Sequence, residues 1–389
     1  MKILVFPHDP LIKYVRKGEI KERYWNPQGM FEAVHIVDFT SEPVEVGDVQ
    51  RVAGEAELTI HSITPRQFWR IPFLAGRVDR LIREIAPDLI RNHAFAHIGA
   101  LGERSAGRHG IPSVISVHGD NDEARRLHPT LRYTVARYFE VYSYPRADLV
   151  ITVTDYLHSY VRRYGAKSIE TVFNKVDIER FRARSVYALT DEKRLEVLTV
   201  TRLELPNKDP NTLIKAIKRL PSARLTLIGS GPDANTVYAC IRKEGVEDRV
   251  RVIPRVPHSD IPAYYAAADV FAISTGYEGF CIPVLEAMAA GLPVVASRKD
   301  PIPEVMGGTG LLVERTPEAF ADALTSLYQS ETKRAALGRA ARARAQTIDG
   351  ATMERREAEL LRGLIETSRQ GSGEKRSSSL YAKYHHSGE

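Results

Sequence analysis

The sequence predicts an α/β chain of two doubly wound domains facing each other across a cleft, and three observations carry that expectation. Its 389 residues exceed what one hydrophobic core usually organises. Short β-branched runs alternate with longer stretches of helical period, the pattern of a parallel sheet covered on both faces. The alternation stops over the charge-rich stretch 174–194 and then starts again, with no fixed-period repeat beneath it. The expected layout is a Rossmann-like domain over 1–175 and a second over 176–350. A helix over 351–369 crosses back to the first, and a Ser/Gly/Lys-rich tail over 370–389 is expected to be flexible.

In the first half the strand-like runs are 2–6, 33–38, 58–63, 89–92, 113–117, 149–154 and 169–172. Helical periods fill 76–85, 96–109 and 132–144, stopped by Pro87, Gly110 and Pro145. The stretch 7–26 reads as a long charged loop. In the second half strands are expected at 195–201, 224–228, 250–253, 270–274 and 293–297. Helices at 211–219, 233–244, 260–267 and 283–290 separate them, and helices at 316–328, 331–346 and 351–367 follow. Ligands of open α/β sheets bind outside the carboxyl ends of the strands, so the cleft is where chemistry belongs.

Composition narrows the class. Hydrophobic residues at 43% and charged residues at 27% exclude wholesale disorder. Two cysteines cannot make a disulfide framework, which points to a reducing, cytoplasmic setting. The apolar start Met1-Lys-Ile-Leu-Val-Phe turns polar at Pro7-His8-Asp9, too soon for a signal peptide. No apolar run approaches the roughly 18 residues of a membrane span. A net charge of +6 suits a phosphate-bearing partner, either a nucleotide or an anionic headgroup. Basic residues thicken over 104–167 and 333–376, so peripheral contact with an anionic membrane at the inner face is kept open. Neither region interleaves aromatics in a nucleic-acid motif, and no nucleic-acid partner is expected.

The most informative segment runs from Ser274 through Glu278-Gly279-Phe280-Cys281-Ile282-Pro283 to Glu286 and Gly291-Leu-Pro293. A strand ends near Ser274, Pro283 suits a first helical position, and Gly291 with Pro293 stops the helix. Glu278 then lies in the loop at the positive helix N-terminus, and Glu286 lies one turn inside. Carboxylates so placed accept from vicinal hydroxyls of a sugar or ribose. The backbone N–H groups of Gly279 to Ile282 suit an anionic or hydroxyl ligand.

This segment resembles the Glu-x7-Glu motif of retaining family-4 glycosyltransferases of the GT-B fold. The second half agrees in order. Thr201-Arg202-Leu203-Glu204-Leu205-Pro206-Asn207-Lys208 resembles the family's Gly-Arg-Leu…Lys-Gly loop, with Thr201 and Asp209 where glycines are usual. Ile228-Gly-Ser-Gly-Pro232 is similar to its glycine turn, and 261–271 to its Tyr…Ala-Asp-Val segment. Pro303-Glu304-Val305 followed by Gly310-Leu-Leu-Val is similar to its closing turn. The resemblance implies that Arg202 and Lys208 hold the donor diphosphate, Arg202 by a bidentate fork. Glu278, with the backbone at Gly279, Phe280, Cys281 and Ile282, would hold the donor sugar. Glu286 would take the ribose, with Arg255 and Val256 beside the base. Cys281 stands where the family usually has glycine, which narrows the sugar pocket. Asp300-Pro301 stands where a Gly-Gly pair is frequent, which stiffens that loop.

The first half resembles the family less closely. Lys17-Gly18-Glu19 stands for its glycine turn after the first strand, with Gly18 toward the donor. His118, at the end of the run 113–117, is expected to face the donor sugar across the cleft. Asn174 matches its hinge, with Lys175 in place of glycine. Asp120-Asn121-Asp122 also reads as a metal-binding Asp-x-Asp, but these aspartates are taken as loop residues or acceptor contacts. The implied reaction moves a sugar from a nucleotide-diphosphate sugar to an acceptor hydroxyl with retained configuration. It needs no metal or other cofactor, and it fits polysaccharide or glycoconjugate biosynthesis on sugar or lipid-linked acceptors. The alternatives are a nucleotide-sugar epimerase or phosphorylase on the same fold, or a non-catalytic binder of sugar nucleotide or nucleic acid.

Overall fold

A computed structural model describes residues 1–370 apart from 19, 65–70, 94–96, 128, 182–183 and 192–193. The expectation for the tail therefore lies outside the described residues, except for Gln370.

The first sheet holds β1 (Lys2–Phe6), β2 (Ala33–Asp38), β3 (Glu57–Ser62), β4 (Leu89–Asn92), β5 (Ser113–Val117), β6 (Leu149–Thr152) and β7 (Ile169–Thr171). Its order is β3-β2-β1-β4-β5-β6-β7. The second holds β8 (Leu195–Val200), β9 (Ala223–Ile228), β10 (Val250–Ile253), β11 (Val270–Ile273), β12 (Val294–Ser297) and β13 (Leu311–Val313). Its order is β10-β9-β8-β11-β12-β13. Every pairing is parallel. Strands β5, β6, β11 and β12 are buried at every position, which is why they read as unbroken apolar runs.

Helices α1 (Leu11–Lys17), α2 (Val46–Val49), α3 (Ile71–Ile85), α4 (His97–His109), α5 (Asn121–Leu127), α6 (Leu131–Ser143) and α7 (Tyr156–Arg163) belong to the first domain. The second carries α8 (Pro210–Arg219), α9 (Ala234–Glu244), α10 (Ile261–Ala267), α11 (Ile282–Ala289), α12 (Ile302–Met306), α13 (Pro317–Tyr328) and α14 (Glu331–Thr347). Last comes α15 (Gly350–Gln370).

Helix α15 returns to the first domain. Met353, Leu361 and Ile365 are buried among Ile3, Val34 and Leu89 beneath the first sheet. Each such side chain contributes about 1.5–3 kcal/mol. Arg23 and Glu354 add an ion pair at 3.0 Å.

The structure corrects three readings of local form. The charged stretch 7–26 contains α1, whose single buried residue, Leu11, gives almost no helical period to read. Gly18 therefore does not turn the chain directly after β1. It caps α1 in the left-handed conformation at φ 68°, as glycine does most readily. The aspartates of 120–122 open a helix and are not free loop residues: Asp120 Oδ1 accepts from the N–H groups of Asp122 (2.7 Å) and Glu123 (3.2 Å).

Candidate active site

In each sheet the strand order reverses once, between β1 and β4 and between β8 and β11. The loops leaving such a pair diverge and open a crevice. In the second domain those loops are 201–209 after β8 and 274–281 after β11, the two segments singled out in the sequence.

Backbone bonds lace these loops together. Asp209 N–H donates to the Ser274 carbonyl at 3.0 Å, and Gly276 N–H to the Asn207 carbonyl at 2.7 Å. That brings Lys208 onto Glu278. Lys208 Nζ forms an ion pair with Glu278 Oε1 and reaches the Tyr277 carbonyl at 3.5 Å. The pair is 20% and 12% exposed, enough to meet a ligand from the cleft. Arg202 is placed differently. It is 66% exposed and pairs with Glu204 at 3.0 Å, whereas Lys208 is held by Glu278. Exposed Arg255 donates to the Arg16 carbonyl at 3.4 Å, and Val256 packs on an apolar cluster drawn from both domains.

Beyond Glu278 the two domains pinch. A Cβ at Gly279 would lie 1.9 Å from the His118 carbonyl oxygen, so only glycine lets the chains approach. Thr154 Oγ1 donates to the Gly279 carbonyl at 3.3 Å, and Tyr277 Oη accepts from Asp120 N–H. Phe280 is buried with its ring 5.7 Å from that of Phe173. Glu304 of α12 accepts from the Asp155 and Tyr156 N–H groups at 2.7 and 3.0 Å, capping α7 of the opposite domain.

Cys281 is buried at the start of α11 with φ 71° and ψ 68°, a left-handed conformation that explains the usual glycine there. Burial pushes its thiol well up, and the neighbouring Glu278 carboxylate adds to this, so it is not a nucleophile. Ile282 opens the helix and is half-buried.

Glu286 is 6% exposed, deeper than the expected cleft-facing carboxylate. Tyr265 donates to its Oε2 at 2.9 Å. Burial raises its pKa, while Tyr265, Lys21 and Arg180 pull it back.

His118 stands across the pinch. His118 is solvent-exposed, yet neighbouring protein still crowds its imidazole. Burial pushes its pKa down to about 4, assisted by Arg91, His8 and Lys21. Water on the open face softens that push without reversing it, so the imidazole is neutral at pH 7. Behind it His93 stacks at 5.8 Å, and Tyr24 stacks on His93 at 5.6 Å. Asp122 is engaged by Tyr164 (2.6 Å), Arg163 (2.9 Å) and Arg125.

Sequence reasoning included Tyr265 and Tyr277 in its motifs but gave them no site role, and it missed a buried set beneath His118. Arg91 of β4 donates to Ser116 Oγ at 3.2 and 3.1 Å, and both Arg91 and Lys175 pair with Glu357 of α15. Burial opposes ionisation of Glu357, but the two cations hold it down to about 2.

Two facing parallel-sheet domains, with a lysine–glutamate pair at one switch point and a neutral histidine opposite, define a GT-B sugar transferase. The profile described as Glycosyl transferases group 1 matches residues 183–344, and that of Glycosyltransferase Family 4 matches 33–180. A GDP-mannose-dependent alpha-(1-6)-phosphatidylinositol monomannoside mannosyltransferase of Mycolicibacterium smegmatis is 32% identical over 297 residues, 70% of this chain and 75% of that protein. A D-inositol 3-phosphate glycosyltransferase of Saccharomonospora viridis is 31% identical over 294 residues, 67% of this chain and 66% of that one. The crystal structure of Anabaena Alr3699/HepE with UDP superposes with TM-score 0.74 at 21% identity, over 93% of this chain and all of that one. The chain belongs to the group 1, family 4 glycosyltransferases. It is a hexosyltransferase-type enzyme that draws on a nucleotide-sugar donor.

Proposed function

We propose that the enzyme transfers a hexosyl group from a nucleotide-diphosphate sugar to an acceptor hydroxyl with retention and without a metal. The observation that carries this reading is the Lys208–Glu278 ion pair beside the Gly279–His118 pinch. Lys208 neutralises the leaving diphosphate, and exposed Arg202 swings in to share it. Glu278 and the backbone from Gly279 to Ile282 hold the sugar. Glu286 offers Oε1 to the ribose, its Oε2 being taken by Tyr265. Neutral His118 accepts from a sugar hydroxyl. The glycosidic carbon–oxygen bond breaks with its electrons on the diphosphate, and the acceptor oxygen attacks from the same face while its proton passes to a phosphate oxygen. Catalysis then rests on charge stabilisation and orientation. Metal independence is supported by the engagement of Asp120 and Asp122 within their own domain.

The relatives' names make GDP-mannose the first donor to try and an inositol-bearing lipid the first acceptor. Helix α6 supports work at an anionic membrane surface. Its Leu131, Tyr138 and Val141 are 78%, 75% and 53% exposed along one side, and Arg126 and Arg163 are exposed nearby. No helix among the described residues is long and apolar enough to cross a membrane. Two unpaired cysteines, Cys240 and Cys281, support a reducing cytoplasm.

The test is transfer from GDP-mannose, and from other nucleotide sugars, with and without EDTA. We expect chelation to leave the rate unchanged and Lys208→Ala to lower turnover at least 100-fold, about 2.7 kcal/mol, with its melting temperature retained. Full turnover by Lys208→Ala at saturating donor removes Lys208 from the site. A rate abolished by EDTA and restored by Mn²⁺ overturns metal independence.

A further inference from the structure

Beneath His118 lies a half-open pocket of about 30 Å³, room for roughly two water molecules. Arg91, Lys175, Glu357, His93, Ser116 and His118 supply its polar lining. The charges on this lining do not cancel. Arg91 and Lys175 are two cations against the single carboxylate of Glu357. Both imidazoles are neutral, because burial and Arg91 disfavour their protonated forms. A net positive charge is thus held where Arg91 is 4% and Glu357 2% exposed, with the Lys175 side chain 18% exposed at its edge. Burying charge without a counter-ion is costly.

Hydrogen bonding is equally incomplete. Arg91 Nη1 and His93 Nε2 are buried with no partner among the described residues. Such groups are ordinarily satisfied, and here both border one cavity. Lys175, the source of the excess charge, stands where the family pattern usually has glycine.

We propose that this cavity is an anion subsite, and that a carboxylate or phosphate group carried by the acceptor enters it beside His118. An anion there balances the excess charge and accepts from Arg91 Nη1. The group anchors one end of the acceptor below the pinch and leaves its hydroxyl above it. This rests on the glycosyltransferase reading of the cleft and adds the acceptor's chemical class.

The test uses the full-length protein and anion binding alone, so it is independent of transfer. Sodium phosphate, sodium acetate and methyl phosphate are titrated at constant ionic strength against chloride, with melting temperature as the readout. Saturable stabilisation of the wild type by all three is expected. Lys175→Met removes the excess charge yet leaves Arg91 paired with Glu357, and should weaken each anion about tenfold or more. Lys175→Arg should restore binding. Lys208→Ala, at the separate donor site, should leave anion binding intact while weakening UDP and GDP.

No saturable shift in the wild type, binding unchanged in Lys175→Met, or binding lost in Lys208→Ala would each overturn the subsite. A site that takes inorganic phosphate and excludes methyl phosphate holds a free ion, and that result overturns the acceptor assignment. UDP and GDP titrations run in parallel report on the glycosyltransferase reading separately. If they fail while the anions bind, the function is wrong and the subsite stands.

Discussion

Cys281 shows how one residue can hold backbone strain beside a ligand loop. A side chain at φ 71° costs about 1–2 kcal/mol, which glycine would release. Glycine would also forfeit the burial of the thiol, of similar size. Cys281→Gly is therefore expected to keep unfolding stability within about 1 kcal/mol despite losing a buried side chain. Cys281→Val adds β-branching to a left-handed site and is expected to cost about 2 kcal/mol or more. Denaturant melts of both variants decide the matter. If the glycine variant loses as much as an ordinary core truncation, the strain is absent. The residue's role was partly visible in the sequence, since its departure from the usual glycine marked it. Its left-handed geometry, φ 71°, was not, because no side-chain pattern in the sequence reports the backbone angle at a helix entry.

Elements were most legible where one face is buried in a regular period. Five strands, β1, β2, β4, β5 and β10, coincide with the sequence reading, and most others differ by one residue at an end. Helices α1, α2, α5, α7 and α12 escaped it. They are four to eight residues long, and tertiary partners stabilise them more than their own periodicity does. Helix α7 is the clearest case, because Glu304 from the other domain caps it. A carboxylate accepting two N–H groups at a helix N-terminus binds more strongly than an amide can. Glu304→Gln is therefore expected to weaken this capping by about 1 kcal/mol. Hydrogen exchange at the Asp155 and Tyr156 amides should quicken roughly fivefold. Unchanged protection at both amides would show that Glu304 does not hold the domains together there.

Across the whole molecule, the two domains were legible because a βα rhythm broke off and resumed. The charged set of Arg91, Lys175 and Glu357 was not, because it gathers one residue from β4, one from the linker and one from the last helix. No local pattern joins them. Their effect should appear in the acid stability of the entire chain. Glu357 titrates near 2 when folded and near 4.5 otherwise, so its stabilisation is complete above about pH 4.5. It fades as pH falls from there toward 2. Glu357→Gln leaves Arg91 and Lys175 without their carboxylate and is expected to cost about 3–5 kcal/mol at pH 7. Chemical denaturation at pH 7, 5, 4 and 3 should show the gap between variant and wild type narrowing only in the acidic samples. A gap constant with pH would mean that the carboxylate is not the source.

The return of α15 to the first sheet has a consequence for how the protein is made. A ribosome that has released residues 1–175 has supplied every strand of the first sheet, but neither Glu357 nor the apolar face of Met353, Leu361 and Ile365 that covers it. Domains generally fold in the order of synthesis. Here the first domain must wait, with buried cations uncompensated and an apolar face bare, until residues 350–370 leave the exit tunnel. The second domain lies wholly between those two events and is free to finish first. Nascent chains arrested before residue 350 should therefore carry an unfinished first domain that chaperones recognise, and chains in which residues 350–370 have cleared the ribosome should not.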